Sequence, residues 1–366
     1  MRILVAPDKF AGTLTAAEAA AAIVEGWHRH APDDEFRVVP MADGGPGFVH
    51  TLHASLGGEL LAVTVSGPYG DPTPGSVLLD GGVGGTAYVE SAQACGLHLT
   101  PEAERRPEDA TTTGVGELIA AAIDAGAARV VIGLGGSATN DGGAGMLASL
   151  GAQADVDLRA GVVALAGVSK VDLAPARERV SGVTLLAASD VDNPLLGLRG
   201  AINVFGPQKG VRDERRPPLD ALLEQFAEAT DRRVANSPGA GAAGGLGFAL
   251  LLLGATREPG IDLIADAVGL AEHARSVDLV ITGEGGFDYS SQGGKVVYGV
   301  AQVAGAATRP CVVLAGRVDV GAREMRTLGV ESAYSMAELV GVEQAMGEPA
   351  ESLAALAARV ARTWSH

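Results

Sequence analysis

At 366 residues the chain exceeds one ordinary core and suits two domains; 47% apolar content, 4% aromatics and 52 glycines favour an α/β enzyme over an all-β sandwich. Lys plus Arg number 27 against 44 Asp plus Glu, a net charge of -17 with no basic block, which argues against a nucleic-acid partner and requires any anionic ligand to meet a local cationic pocket. The N-terminus turns polar too soon for a signal peptide, and the longest apolar run, Phe248 to Leu253, falls far below the roughly 18–20 residues of a membrane span, so a cytoplasmic protein with no membrane partner is expected.

Ile3 to Ala6 is a continuous apolar run of the kind that forms a parallel strand buried on both faces. A loop with Asp8 and Lys9 follows, then Thr15 and Glu18 spaced as a capping box before an Ala-rich helix to about His30. Val38 to Met41 reads as the second strand, ending in Asp43-Gly44-Gly45 ahead of a helix to about Leu56. Strand, glycine loop, helix, strand is the grammar of a parallel sheet. Between about 60 and 92, short apolar runs split by Gly, Pro and Asp predict an antiparallel segment. The pattern then predicts a helix over 116–125, strand Val130–Ile132, loop Gly133–Gly143, strand Val183–Ala188 and helices over 216–235 and 246–255. Strand Leu279–Ile281, a loop at Thr282–Gly285, a helix near 296–305, strand Cys311–Leu314 and a last helix over 343–363 complete a second α/β block. The mixed middle predicts a discontinuous outer domain, 1–65 plus 276–366, with 66–275 inserted in it.

Ligands of parallel α/β sheets bind beyond the carboxyl ends of the strands. Here five polar or glycine-rich segments follow five predicted strands: Asp8-Lys9, Asp43-Gly44-Gly45, Gly133–Gly143, Asp190–Asn193 and Glu284–Asp288. Such loops put backbone amides and carboxylates at one rim, the requirement for cradling phosphates. Only four lysines occur, and Lys9, Lys209 and Lys295 sit in glycine-bearing loops suited to an anion. Gly133, Gly135 and Ala138 also fit a dinucleotide fingerprint with Asp155 at the ribose distance, but the polar run continues where its helix should begin. Gly293-Gly294-Lys295 falls short of a phosphate-binding P-loop, because Tyr289 and Val296 replace its glycine and its hydroxyl residue. His50 and His53 have no third ligand, no GxSxG elbow is present, and Cys95 and Cys311 read as core residues.

The loops closely resemble those of the bacterial type I glycerate kinases, in order and along nearly the whole chain. The matching segments are Ala6–Phe10 with Gly12 and Leu14, Pro40–Gly45, Gly133–Gly145, Asp190–Leu195, Val204–Gly210, Pro238–Gly247 and Thr282–Gly285. The resemblance implies two α/β domains around a cleft, one a Rossmann-like parallel sheet interrupted by an inserted mixed α/β domain. It also implies transfer of phosphate from ATP to D-glycerate, on the 2-hydroxyl, with Mg²⁺ as cofactor.

On that basis Asp190 is expected to orient or deprotonate the attacking hydroxyl, with Lys9 and Asp8 as further catalytic residues. Substrate and phosphate contacts are expected from Asp43, Gly44, Gly45, Gly135, Gly136, Ser137, Thr139, Asn140, Asn193, Lys209 and Lys295. Asp141, Glu284 and Asp288 are expected metal ligands, with Asp8 and Asp43 as further candidates for the Mg²⁺ shell. A homodimer stays open. Ala11, Pro46, Phe48, Gly286, Ser290 and Val297 depart from the family's usual residues, removing cations and placing Phe48 where it would make the pocket less polar. These departures leave room for another small hydroxylated acceptor, or for a ligand-binding homologue without turnover.

Overall fold

The computed structural model describes residues 1–10, 12–288 and 296–365. Its strands are β1 (Arg2–Val5), β2 (Glu35–Val38), β3 (Glu59–Ser66), β4 (Pro72–Asp80), β5 (Thr86–Glu90), β6 (Arg129–Gly133) and β7 (Gln153–Ala154). They continue with β8 (Val171–Asp172), β9 (Thr184–Ala188), β10 (Thr256–Glu258), β11 (Leu279–Phe287), β12 (Cys311–Val318) and β13 (Ser332–Ser335). The fold is the expected α/β mixture. Two compact units are formed, one from Met1–Asp43, His50–Gly57 and Pro259–His366, the other from Gly44–Val49 and Gly58–Glu258.

The first unit carries a parallel sheet in the order β13-β12-β11-β1-β2. Its core joins Ile3, Val5, Leu279, Ile281, Val312 and Leu314 of the sheet to Ile23, Trp27, Leu353 and Leu356 of the helices. The helix Ala16–His28 starts where the capping box predicts: Thr15 Oγ1 accepts from the Glu18 amide at 3.2 Å, and Glu18 Oε2 accepts from the Thr15 amide at 2.8 Å.

Three expectations shift. The second strand lies upstream of Val38–Met41, because pairing of Arg2 with Glu35 through Val5 with Val38 sets its register. As an edge strand with exposed Glu35, Arg37 and Val38 it lacks the apolar run of a central strand. Val39 and Met41 still donate to Val5 and Pro7 carbonyls, so the chain stays extended toward Asp43. Thr282–Gly285 is strand rather than loop, since β11 pairs with β12 as far as Phe287 opposite Val318. Gly283 permits this close pairing: a Cβ there would lie 2.2 Å from the Leu314 carbonyl oxygen. The last helix is broken in two, Val342–Gly347 and Pro349–Trp364, by a proline that suits a helix start but not an interior.

The second unit holds a six-stranded sheet, β10-β9-β6-β5-β4-β3, parallel from β10 to β5 and antiparallel through β4 and β3. The strand Glu59–Ser66, which an outer-domain boundary at residue 65 separates from its neighbours, pairs along its whole length with β4. Residues 259–275 fall in the first unit, not in the insertion. The core of the second unit is built from Val77, Val89, Val130, Ile132, Leu118 and Leu147, among others.

Candidate functional site

In the first unit β1 ends at Asp8-Lys9, and the Asp8 amide donates to the Gly283 carbonyl of β11 at 2.8 Å. This places Asp8 and Glu284, both buried, on one cavity of about 560 Å³ that also reaches Lys9 and Asp43. Lys9 Nζ lies 3.4 Å from Asp43 Oδ1 and 3.9 Å from Asp8 Oδ1, while the Lys9 amide donates to Asp8 Oδ1 at 2.7 Å. Burial pushes the Asp8 carboxyl up to about 7, helped by Asp43 and Glu284 and opposed by Lys9. A half-charged acid among carboxylates and one ammonium is a setting for a cation or for phosphate oxygens. The cavity's far wall is apolar, formed by Met336, Ala337, Val342, Ala345 and Met346. No sequence motif pointed to these residues, and the only signal, an apolar stretch ahead of Pro349, reads equally as core.

In the second unit β6 runs into the glycine loop. Its glycines serve close packing first: a Cβ on Gly133 would stand 2.5 Å from the Gly44 carbonyl oxygen, and one on Gly135 would stand 2.5 Å from Gly45 Cα. The Gly135 amide donates to Gly44 O at 3.1 Å. Gly136 holds φ at 76°, in the left-handed region, with Pro46 against it. Glu90 at the end of β5 accepts from the Gly47 and Val49 amides, pinning the same segment.

Beside this loop a small cavity of about 130 Å³ is lined by Gly135, Gly136, Ser137, Val191, Gln208 and Lys209, among others. Lys209 is only 2% exposed, and its Nζ donates to Ser137 Oγ at 3.0 Å and to the Thr139 carbonyl at 2.6 Å. Burial brings its ammonium down to about 8. Ala243, also on this cavity, has φ 51° and ψ 40°, a left-handed conformation that non-glycine residues adopt at a cost.

The remaining expected residues divide. Asp190 follows β9, half-buried, immediately before Val191 of the small cavity. Its loop is braced by Arg257, which sequence reading missed: the guanidinium donates to the Ser189 carbonyl at 2.8 Å and pairs with Asp192 at 2.6 Å. Asn193 ties down its own loop through Arg199 O at 2.7 Å. Thr139 and Asn140 are fully buried beneath the loop, with Asn140 Nδ2 donating to Pro107 O at 3.0 Å.

Asp141 is held inside the glycine loop. It has no exposure, and its carboxylate accepts from the Thr112 amide and hydroxyl, both at 2.8 Å, and from the Gly143 and Gly145 amides. Burial raises its pKa against the pull of those donors. Those donors turn its oxygens to the loop itself. Phe48 is a correction: it is fully buried, edge-on to Tyr88 at 6.1 Å, and makes no pocket less polar. The dinucleotide reading also fails, because no helix starts before Ala144 and Asp155 is bonded to Ser169 and Lys170. Ala11, Ser290 and Lys295 lie outside the described residues.

The sequence model described as the glycerate kinase family matches residues 3–365. The chain belongs to the glycerate kinase family. It is thus a phosphotransferase with an alcohol acceptor. The glycerate kinase of Bacillus subtilis is 40% identical over 361 residues, covering 96% of this chain and 94% of that protein. The glycerate 2-kinase of Escherichia coli is 37% identical over 350 residues, covering 93% and 92%. A crystal structure named for glycerate kinase 2 of Salmonella typhimurium matches with a TM-score of 0.84 and 37% identity, covering 100% of this chain and 98% of that one. The first unit's cavity carries acids with a lysine, and the second unit's carries a buried lysine on a glycine loop. Among the described residues no group of three or more His, Cys, Asp or Glu gathers closely enough to hold a metal alone, and no helix is long and apolar enough to cross a membrane.

Proposed function

We propose that the protein transfers the γ-phosphoryl group of ATP to the 2-hydroxyl of D-glycerate, giving 2-phosphoglycerate and ADP. The observation that carries this reading is Lys209: an ammonium almost wholly buried, hydrogen-bonded to a hydroxyl and a carbonyl rather than to a carboxylate, on a cavity too small for a nucleotide. A buried charge without a carboxylate at hydrogen-bond distance favours an incoming anion, and a compact carboxylate suits the space. With the carboxylate held there, the hydroxyl on the adjacent carbon lies nearer to it than the terminal one, in keeping with the name of the Escherichia coli relative.

Asp190 accepts the proton as the 2-hydroxyl oxygen attacks the γ-phosphorus and the bond from that phosphorus to the β,γ-bridging oxygen breaks. Arg257 holds the loop that carries Asp190. Asp8, Asp43 and Glu284 are hard oxygen donors on a single cavity, which fits Mg²⁺; that ion uses one or two carboxylates together with phosphate oxygens and water rather than a cage. Asp288, four residues beyond Glu284, belongs to the same proposed set. When bound, Mg²⁺ neutralises phosphate charge. Lys9, and Lys295 by its place in the sequence, serve the phosphates in the same way.

The test is ADP release by the purified protein with ATP, Mg²⁺ and D-glycerate, with phosphorus NMR of the product. A 2-phosphoglycerate resonance is expected. A 3-phosphoglycerate product would overturn the regiochemistry, and absence of turnover from folded, ADP-binding protein would overturn glycerate as acceptor.

A further inference from the structure

We propose that the apolar wall of the first unit's cavity seats the nucleoside base of the phosphoryl donor, with the acidic and cationic end of the same cavity facing the donor's phosphates. The inference rests on the kinase reading above and adds which face recognises the donor. Every lining residue belongs to one unit, and the cavity has two chemically distinct ends. One end gathers Asp8, Lys9, Asp43 and Glu284; the other presents Met336, Ala337, Val342, Ala345 and Met346. Its volume of about 560 Å³ falls within the range of cavities that enclose cofactor-sized molecules, and far exceeds what a three-carbon acid fills. A small polyhydroxylated anion also gains nothing from an aliphatic wall, whereas a purine has two apolar faces to cover.

Three further observations point the same way. Val342 and Met346 are 64% and 61% exposed, two of the seven large apolar side chains left in the open among the described residues, and both stand on this one cavity. Unbranched methionines adapt to a planar ring at little cost in strain. Between the two ends, on adjacent strands β11 and β12, the lining is Gly285, Gly286 and Gly316 with Arg317, which pairs with Asp319. A Cβ on Gly316 would stand 2.4 Å from the Gly285 carbonyl oxygen, but one on Gly286 would meet nothing within 4 Å among the described residues. Gly286 is therefore dispensable for packing, and its missing side chain widens the cavity.

Isothermal titration calorimetry with ADP, adenosine and inorganic tripolyphosphate tests this on the full chain and on Gly286→Leu and Met346→Glu. Both positions tolerate change: a Cβ at Gly286 meets no described neighbour and Met346 is exposed. ADP and adenosine affinities are expected to fall at least tenfold in both variants while tripolyphosphate binding and the thermal midpoint hold. In turnover assays the KM for ATP should rise and that for D-glycerate should not. Unchanged ADP affinity in both variants, or equal loss of ADP and tripolyphosphate binding, would overturn the base seat and leave the kinase reading standing. Failure of the unsubstituted protein to bind ADP would overturn both.

Discussion

Lys209 holds a charge at a place where water hardly reaches, and this sets a pH dependence of definite sign. Its folded-state pKa is about 8 against an ordinary 10.5, so at pH 7 the ammonium is charged in both states and its burial cost is present in full. As pH rises through about 8 the folded form loses its proton while the unfolded form keeps it, and the cost is relieved by pH 10.5. Lys209→Met is predicted to raise the unfolding midpoint at pH 7, with the gain shrinking between pH 8 and 10.5; thermal melts across that window check it. In the free protein, D-glycerate affinity should fall as pH rises through about 8. Asp190 gives a second residue-level prediction: Asp190→Asn should lower kcat at least ~10²-fold, the ordinary reach of a lost general base, with the melting midpoint retained. Undiminished activity would remove Asp190 from the mechanism.

At the level of elements, the glycine loop is a structure held from beneath. Asp141 gathers four donors from Thr112, Gly143 and Gly145, and Glu90 gathers the Gly47 and Val49 amides. Asp141→Asn turns an acceptor into a donor facing donors, and is predicted to cost about 2–4 kcal/mol in stability, read in urea unfolding, while weakening D-glycerate binding through the loop that carries Ser137. Phe48→Ala empties a fully buried aromatic site and should cost about 3–5 kcal/mol. Were Phe48 a pocket residue, KM would change without that loss. The positions of central strands were legible from sequence, as at Ile3–Val5, Val130–Ile132 and Leu279–Ile281, though not the far end of β11, because burial on both faces demands an unbroken apolar run. The edge strand Glu35–Val38 was misplaced for the converse reason: one open side admits Glu and Arg.

Across the whole molecule, two units with separate cores predict calorimetric unfolding in more than one two-state step. A single transition whose calorimetric and van't Hoff enthalpies agree would contradict this. Lys209→Met and Phe48→Ala should move only the transition of the second unit, where both residues sit.

The sequence by itself determined the α/β class, most of the loops after the strands and the family, since these rest on local pattern: apolar runs, capping residues and ordered glycine motifs. It also brought Asp8, Lys9, Asp43, Glu284, Asp190 and Lys209 into view. Only the tertiary structure decided how each residue of a motif is buried and bonded. Asp141 and Asp190 are both loop aspartates in the sequence, yet burial with four donors commits the first to the loop, while the second stands half-buried beside a cavity. Gly44 and Gly135 look like phosphate-binding glycines, and the structure adds that two backbones approach closely there. The apolar wall of Met336, Val342 and Met346 has no sequence signal, because a helix face aimed at a cavity carries the same residues as one aimed at a core.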